Sequence, residues 1–158
     1  MKTKLRNLVI FLTVVLIVRI TIAQYHERVG LPNLPTDTLS GAIISSDTIV
    51  LMTNASRKAF GVTPLRASRI LRHAAQKKAR DMLRNQYFAH VNPLGKEPWD
   101  FIEDAGYDYS YAGENLAMHF KSAEAVTKGW LLSRTHQENL LSEDFTEIGV
   151  GVLRGKFQ

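Results

Sequence analysis

The chain has 158 residues, 45% of them hydrophobic, which suits one domain with short accessories and excludes a disordered chain. Its formal charge is +5, but Lys2, Lys4, Arg6 and Arg19 fall within residues 1–23, which hold no acid, so only 16 of the 20 basic residues face all 15 acidic ones in the rest of the chain. That near-neutral remainder lacks the electrostatic footprint of a nucleic-acid binder, and the absence of cysteine excludes a disulfide framework, a zinc finger and a thiol nucleophile.

Residues 1–23 read as an export or anchor segment. Lys2, Lys4 and Arg6 precede an apolar run from Leu8 to Val18, interrupted by Thr13, and Thr21-Ile22-Ala23 offers small residues for cleavage before Gln24. The run is short for a membrane span, which takes roughly 20 apolar residues. Counted on to Ala23 it nearly reaches that length, because an arginine near a helix end can snorkel. A cleaved signal peptide and a retained membrane anchor therefore both stand, and either places the remainder outside the cytoplasm. Residues 24–46 form a linker, where Leu31-Pro32-Asn33-Leu34-Pro35 leaves no helical period.

A domain is expected over residues 47–158. Its first helix runs from about Asp47 to Phe60, capped by Ser46 or Asp47 and ended by Gly61. The second starts near Ser68 and reaches about Asn85. Leu71, Ala74, Ala75, Ala79 and Met82 give it an apolar face, while Arg69, Arg72, Lys77, Lys78, Arg80 and Arg84 read as a solvated one. His73 belongs with the exposed residues. The chain then leaves helix at Tyr87-Phe88-Ala89-His90, and Asn92-Pro93-Leu94-Gly95 is a turn by its chemistry. Pro98 opens a short helix that Gly106 stops. Tyr107, Tyr109 and Tyr111 alternate as in extended structure and read as an aromatic wall of the core. Ser122 caps a helix with Ala123, Val126 and Trp130 inward. Thr135-His136-Gln137-Glu138 fits a capping box, which puts His136 in a first helical turn, where the helix dipole favours the neutral imidazole that a metal requires. Thr146 to Leu153 alternates as a strand through Ile148, Val150 and Val152.

One carboxylate, Glu114 in Ala112-Gly113-Glu114-Asn115-Leu116, lies 24 residues after His90 and 22 before His136. Two imidazoles and a carboxylate are a frequent ligand set for a divalent cation, and such a set can also serve acid–base chemistry. Taken singly, each histidine is better explained by a structural hydrogen bond; it is the three positions together that favour a cleft with a ligand. Ser133, three residues before His136, reads as a helix cap rather than a nucleophile. Asn115 and Asn139 read as side chains that bond loop backbones. His26 and His119 carry no functional reading.

The order and spacing of these pieces resemble the CAP superfamily of cysteine-rich secretory, antigen 5 and pathogenesis-related proteins, most closely its bacterial SCP-domain branch. The resemblance covers roughly Ile49 to Gln158. It rests on Asn54-Ala55-Ser56-Arg57, Leu65, Ala79-Arg80-Asp81-Met82, Tyr87-Phe88-Ala89-His90, Gly113-Glu114-Asn115-Leu116, Trp130, Ser133 to Leu140 and Ile148-Gly149-Val150-Gly151. It implies an α+β fold, a three-layer α-β-α sandwich with a small antiparallel sheet, preceded here by the N-terminal apolar segment. A further strand is implied after Gly155, so the domain is expected to be incomplete at its C-terminus. The family cleft carries two histidines and two glutamates and in some members holds a divalent metal. His90, Glu114 and His136 match three of those four positions, and Ser133 stands where the second glutamate usually lies. A serine cannot replace a carboxylate as base or anionic ligand, which weakens any argument for catalysis.

The expectation is an extracytoplasmic binding module rather than an enzyme. Its cleft would hold zinc or another divalent cation through His90, Glu114 and His136, with a small-molecule, lipid or cell-envelope ligand, no nucleic acid, and membrane attachment if residues 1–23 are retained. The alternative is a metal-assisted hydrolase in the same cleft, with Glu114 as base through water.

Overall fold

A computed structural model of the chain describes residues 44–156. The export or anchor segment, and the linker up to residue 43, lie outside the described residues. Among the described residues, no helix is long and apolar enough to cross a membrane.

The element order is α1 (Ser46–Ala59), β1 (Arg66–Ala67), α2 (Arg69–Arg84), α3 (Pro98–Glu103), α4 (Ala123–Leu132), α5 (Arg134–Leu141) and β2 (Glu147–Ile148). Serines set three of the helix starts. Ser45 caps α1 in a capping box with Thr48, each side chain bonding the other's backbone amide. Ser68 caps α2 through the Leu71 amide, and Ser122 caps α4 through the Ala125 amide. Such caps satisfy amides that the first helical turn leaves without partners.

The helices form two groups. In one, α1 packs on α4 and α5; in the other, α2 packs on α3. Ile49, Met52, Ala123, Val126, Leu131 and Leu140 are buried in the first group, and Ala74 and Phe101 in the second. The strands run between them. Asn54 on α1 holds both the amide and the carbonyl of Leu65, just before β1 (2.8 and 2.9 Å). The stretch from β2 onward lies against α2. A Cβ on Gly149 would fall 2.1 Å from the Leu71 carbonyl carbon, and one on Gly151 would fall 2.3 Å from the Ala75 carbonyl oxygen. Two residues of extended chain advance about 6.6 Å and four residues of helix about 6 Å, so alternate glycines meet successive helical turns. Arg66 and Glu147 pair across the two strands.

The fold is thus α+β with helices on both sides of a small sheet, as the resemblance implies. Ser45, not Ser46 or Asp47, caps α1, and Tyr111 is exposed and not part of a core wall. Four further details differ from expectation. The two described strands pair in parallel, Arg66 opposite Glu147 and Ala67 opposite Ile148, not antiparallel. The connection between them carries four helices, and a crossover of that kind returns the chain in the same direction. The ladder is two residues long, not the eight from Thr146 to Leu153, because β1 ends where Ser68 caps α2. No Thr135–Glu138 capping box forms. The helix starts two residues earlier than that box requires, after Ser133, and Glu138 bonds Arg134 instead (3.0 Å). Ser133 occupies the cap position without a capping hydrogen bond from its side chain. Lys78, finally, is buried at 3% exposure rather than solvated.

Candidate functional site

Lys78 explains how the His90 loop is held. It lies on the apolar stripe of α2, one turn after Ala74 and one before Met82, so the helix carries its ammonium inward. There Nζ donates to the Tyr87 hydroxyl (3.1 Å) and to the His90 carbonyl (2.5 Å), and it lies over the Tyr87 and Phe101 rings. Burial lowers the lysine pKa, opposed by the charges of Glu114 and Asp81. Tyr87 in turn donates to Asp81 Oδ2 (2.5 Å), and burial together with that bond pushes its phenol well above the ordinary range. On the far side of His90, buried Asn92 closes the turn. Its Oδ1 accepts from the Leu94 and Lys96 amides (2.9 and 2.8 Å), and its Nδ2 reaches Asp81 (3.3 Å). His90 therefore sits between two anchors that share Asp81, with its carbonyl on Lys78.

The imidazole itself is about half exposed, and its Nδ1 lies 2.6 Å from Glu114 Oε1. An ionised carboxylate only accepts, so Nδ1 carries the proton and Nε2 is left as the basic nitrogen. Glu114 is largely buried. Burial raises its pKa, with the His90 hydrogen bond and the Lys78 charge acting the other way. A folded-state pKa above the unfolded one means that protonation favours folding. That contribution is complete below the unfolded carboxylate value and is lost as pH rises through the folded one. Glu114→Gln keeps an acceptor for His90 and removes the buried charge. It is expected to raise the melting temperature at pH 7 and to leave it unchanged near pH 4; a fall at pH 7 would show that the carboxylate stabilises the fold.

His136 is half-buried in the first turn of α5. Its Nδ1 lies 2.7 Å from the Ser133 hydroxyl, so this ring too is held through Nδ1. Two asparagines bind the segments together. Asn115 Nδ2 donates to the His136 carbonyl (2.9 Å), while Asn139 Nδ2 bonds Asn115 Oδ1 (3.0 Å) and the Glu114 carbonyl (3.3 Å). Trp130 Nε1 fixes the Leu116 carbonyl (3.0 Å). The 114–116 segment is thus tied to α4 and α5 by its backbone and to His90 by the Glu114 side chain.

The structure brings His90 and Glu114 into direct contact, and His136 into contact with Ser133. Among the described residues, no three His, Cys, Asp or Glu side chains converge closely enough to hold a metal ion. The donor chemistry still suits a borderline cation, since each ring is oriented through Nδ1 by an oxygen, as metal-binding histidines commonly are, and neither Nε2 has a hydrogen-bond partner among the described residues. Any such site would be completed by the ion, not preformed. Lys78 is the residue that sequence reasoning passed over, and its place on the apolar stripe was the available signal. Beside this site lies a cavity of about 1100 Å³ between the helix groups, lined by Glu114, Asn115 and Asn139 at one end but not by His90, Ser133 or His136.

The model of the cysteine-rich secretory protein family (CAP) matches residues 50–157. An uncharacterised protein of Bacillus subtilis strain 168, YkwD, is 37% identical over 119 residues, which cover 75% of this chain and 46% of that protein. An uncharacterised membrane protein of the same organism, YlbC, is 34% identical over 110 residues, 70% of this chain and 32% of the relative. The chain therefore spans less than half the length of these curated relatives. Among solved structures, an extracellular protein containing an SCP domain from Bacillus anthracis strain Ames superposes with a TM-score of 0.66 at 32% identity, covering 68% of this chain and 36% of that one. An outer surface protein of Borrelia burgdorferi superposes with a TM-score of 0.59 at 25% identity, covering 65% and 76%.

Proposed function

The chain belongs to the cysteine-rich secretory protein (CAP) family, in its bacterial SCP-domain branch, and from that premise we propose that it is an extracytoplasmic binding module whose cleft is built on the His90–Glu114 and Ser133–His136 pairs. The observation that carries this reading is the matched treatment of the two imidazoles. Each is fixed through Nδ1, and the asparagine network ties their segments together. Side-chain entropy and a buried carboxylate are invested in orienting two basic nitrogens, which a purely structural pair of hydrogen bonds does not require. The location rests on the basic and apolar residues 1–23, acting as signal or anchor, and on the likeness to proteins described as extracellular and as outer surface.

In this reading Nε2 of His90 and of His136 would take a divalent cation such as zinc, with Glu114 and Ser133 as the oxygens that aim the rings. Bound there, the cation supplies a positive point for an anionic or carbonyl oxygen of a small-molecule, lipid or cell-envelope ligand. The residues' own part is to hold two neutral rings at a solvent-accessible edge. Hydrolysis has less support: Glu114, the candidate base, is engaged by His90, and no second carboxylate lies at position 133.

Calorimetric titration of zinc into the metal-free full chain tests this. One ion per chain is expected at pH 7, weakening strongly at pH 5.5 as the imidazoles protonate. His90→Ala and His136→Ala are each expected to abolish the heat. A folded chain that gives no heat at pH 7 overturns the cation reading, and hydrolysis of an ester or peptide substrate that disappears in Glu114→Gln would favour the enzyme instead.

A further inference from the structure

Two points fix the His90 ring, and only one of them lies on the ring. Nδ1 meets Glu114, whose segment is tied to α4 and α5. An imidazole turns about two side-chain torsions, so that contact forms reproducibly only if the backbone beneath it is held as well. The backbone of residues 88–91 has few means of being held. Main-chain hydrogen bonds flank the stretch, from the Tyr87 amide to the Met82 carbonyl (3.1 Å) and from the Asn92 amide to the Lys96 carbonyl (2.9 Å), and none falls within it among the described residues. Phe88, Ala89, His90 and Val91 are all exposed, so burial does little to order them. Among the described residues, one hydrogen bond reaches their backbone, the one from Lys78 Nζ to the His90 carbonyl.

Lys78 is itself held against α2. Its ammonium donates to the Tyr87 hydroxyl, which donates to Asp81, one turn beyond Lys78 on the same helix. The chain of bonds begins and ends on α2, so the ammonium takes its position from that helix and passes it to the His90 carbonyl. We propose that Lys78 is the positioning residue of His90: through the carbonyl it sets the backbone from which the imidazole reaches Glu114, and so leaves Nε2 open to a cation.

The choice of a lysine supports this. A buried ammonium is costly, and an apolar side chain of similar length would pack as well against the Tyr87 and Phe101 rings. What methionine or leucine cannot supply there is a donor for the His90 carbonyl. The clause on the cation rests on the function proposed above. The orientation of the ring does not, and it is read without metal.

The test reads the imidazole nitrogens of the metal-free full chain by magnetic resonance. Native His90 should give a protonated Nδ1 and a bare Nε2. In Lys78→Met the two signals are expected to move toward the averaged tautomers of an exposed histidine. Zinc affinity should fall about tenfold to a hundredfold, the usual loss when a group behind a metal ligand is removed. Met52→Ala, buried in the other helix group, controls for general loosening and should keep the native pattern. The chain has no cysteine, so Lys78→Cys can be alkylated with bromoethylamine at that one position. The thiolate displaces bromide, and the new carbon–sulfur bond carries an ammonium at lysine's length, which should restore the native His90 signals. Native signals in Lys78→Met overturn the proposal. So does their loss in Met52→Ala, or a folded, aminoethylated chain that does not recover them. If the Lys78 variants do not fold, the native chain decides: a coupling across the hydrogen bond from Lys78 Nζ to the His90 carbonyl carbon is expected, and its absence overturns the proposal. A native chain that binds no zinc removes the cation reading alone, and the tautomer still decides the role of Lys78.

Discussion

Arg57→Met is expected to cost the fold about 4 kcal/mol, enough to unfold a large fraction of a domain whose total stability is of the usual size. Arg57 is 1% exposed, yet among the described residues no carboxylate lies within ion-pair distance of it. Its guanidinium instead ties three carbonyls: Nε donates to Thr63 (2.7 Å), and Nη1 to Leu140 (2.9 Å) and Ser142 (2.8 Å). One side chain on α1 therefore closes the turn after its own helix and caps the end of α5, some 85 residues away. Methionine would fill much of the volume and leave those carbonyls without donors, at about 1–3 kcal/mol for each buried one. Burial lowers the arginine pKa, opposed by Glu143, but from so high a starting value that it stays charged through the working range. The loss should therefore be nearly independent of pH between 5 and 9. Arg57→Lys is expected to recover only part of it, since a single ammonium cannot span the fork. Urea unfolding of the three proteins measures this; a lysine variant equal to the native chain would mean that charge, not the planar fork, matters.

Gly149→Ala is the second large effect, expected at about 3 kcal/mol or more. The added Cβ would meet the Leu71 carbonyl carbon at 2.1 Å and the Arg72 amide nitrogen at 2.3 Å. Those are helix backbone atoms, so the strand must lift off α2, and the two-residue ladder beside it has little to resist with. Gly155→Ala is the internal comparison. Its Cβ would meet only the tips of the Leu83 side chain, the nearest at 2.3 Å, which can rotate aside, so a loss below about 1 kcal/mol is expected. Similar losses at the two positions would contradict the close packing of this strand on α2.

Gly149 and its neighbour Gly151 also show what a reader of the sequence could see. Gly149 and Gly151 were legible as part of an alternating strand, and their order after the His136 segment helped to place the family. Their reason, backbone contact with Leu71 and Ala75, was not legible, because it depends on how the strand crosses α2. Helix bounds fell within a residue or two for α1 and α2, where serine caps and apolar periods agree. The Thr135–Glu138 box failed because Ser133 starts α5 two residues earlier, a choice between two nearby hydroxyl residues that local chemistry does not decide. Lys78 was misjudged because charge was taken as a sign of exposure, while it occupies an apolar helical position and finds hydroxyl and carbonyl partners on the loop that follows α2; Arg57 was read only as part of the family motif, with no partner assigned to it. In the candidate site, spacing could nominate His90, Glu114 and His136. Which ring nitrogen each imidazole leaves uncommitted depends on the contacts with Glu114 and Ser133, and those exist only in the folded chain.

The most direct measurement of the proposed cleft is the imidazole nitrogen spectrum of the full chain, recorded before and after one equivalent of zinc. Before zinc, His90 should show a protonated Nδ1 and a basic Nε2, as its bond to Glu114 dictates. With zinc, the Nε2 signals of His90 and His136 should shift together while those of His73 and His119 stay in place. A response at one ring alone, or at neither, would contradict a shared cation and leave the two pairs as supports for the loops that carry them.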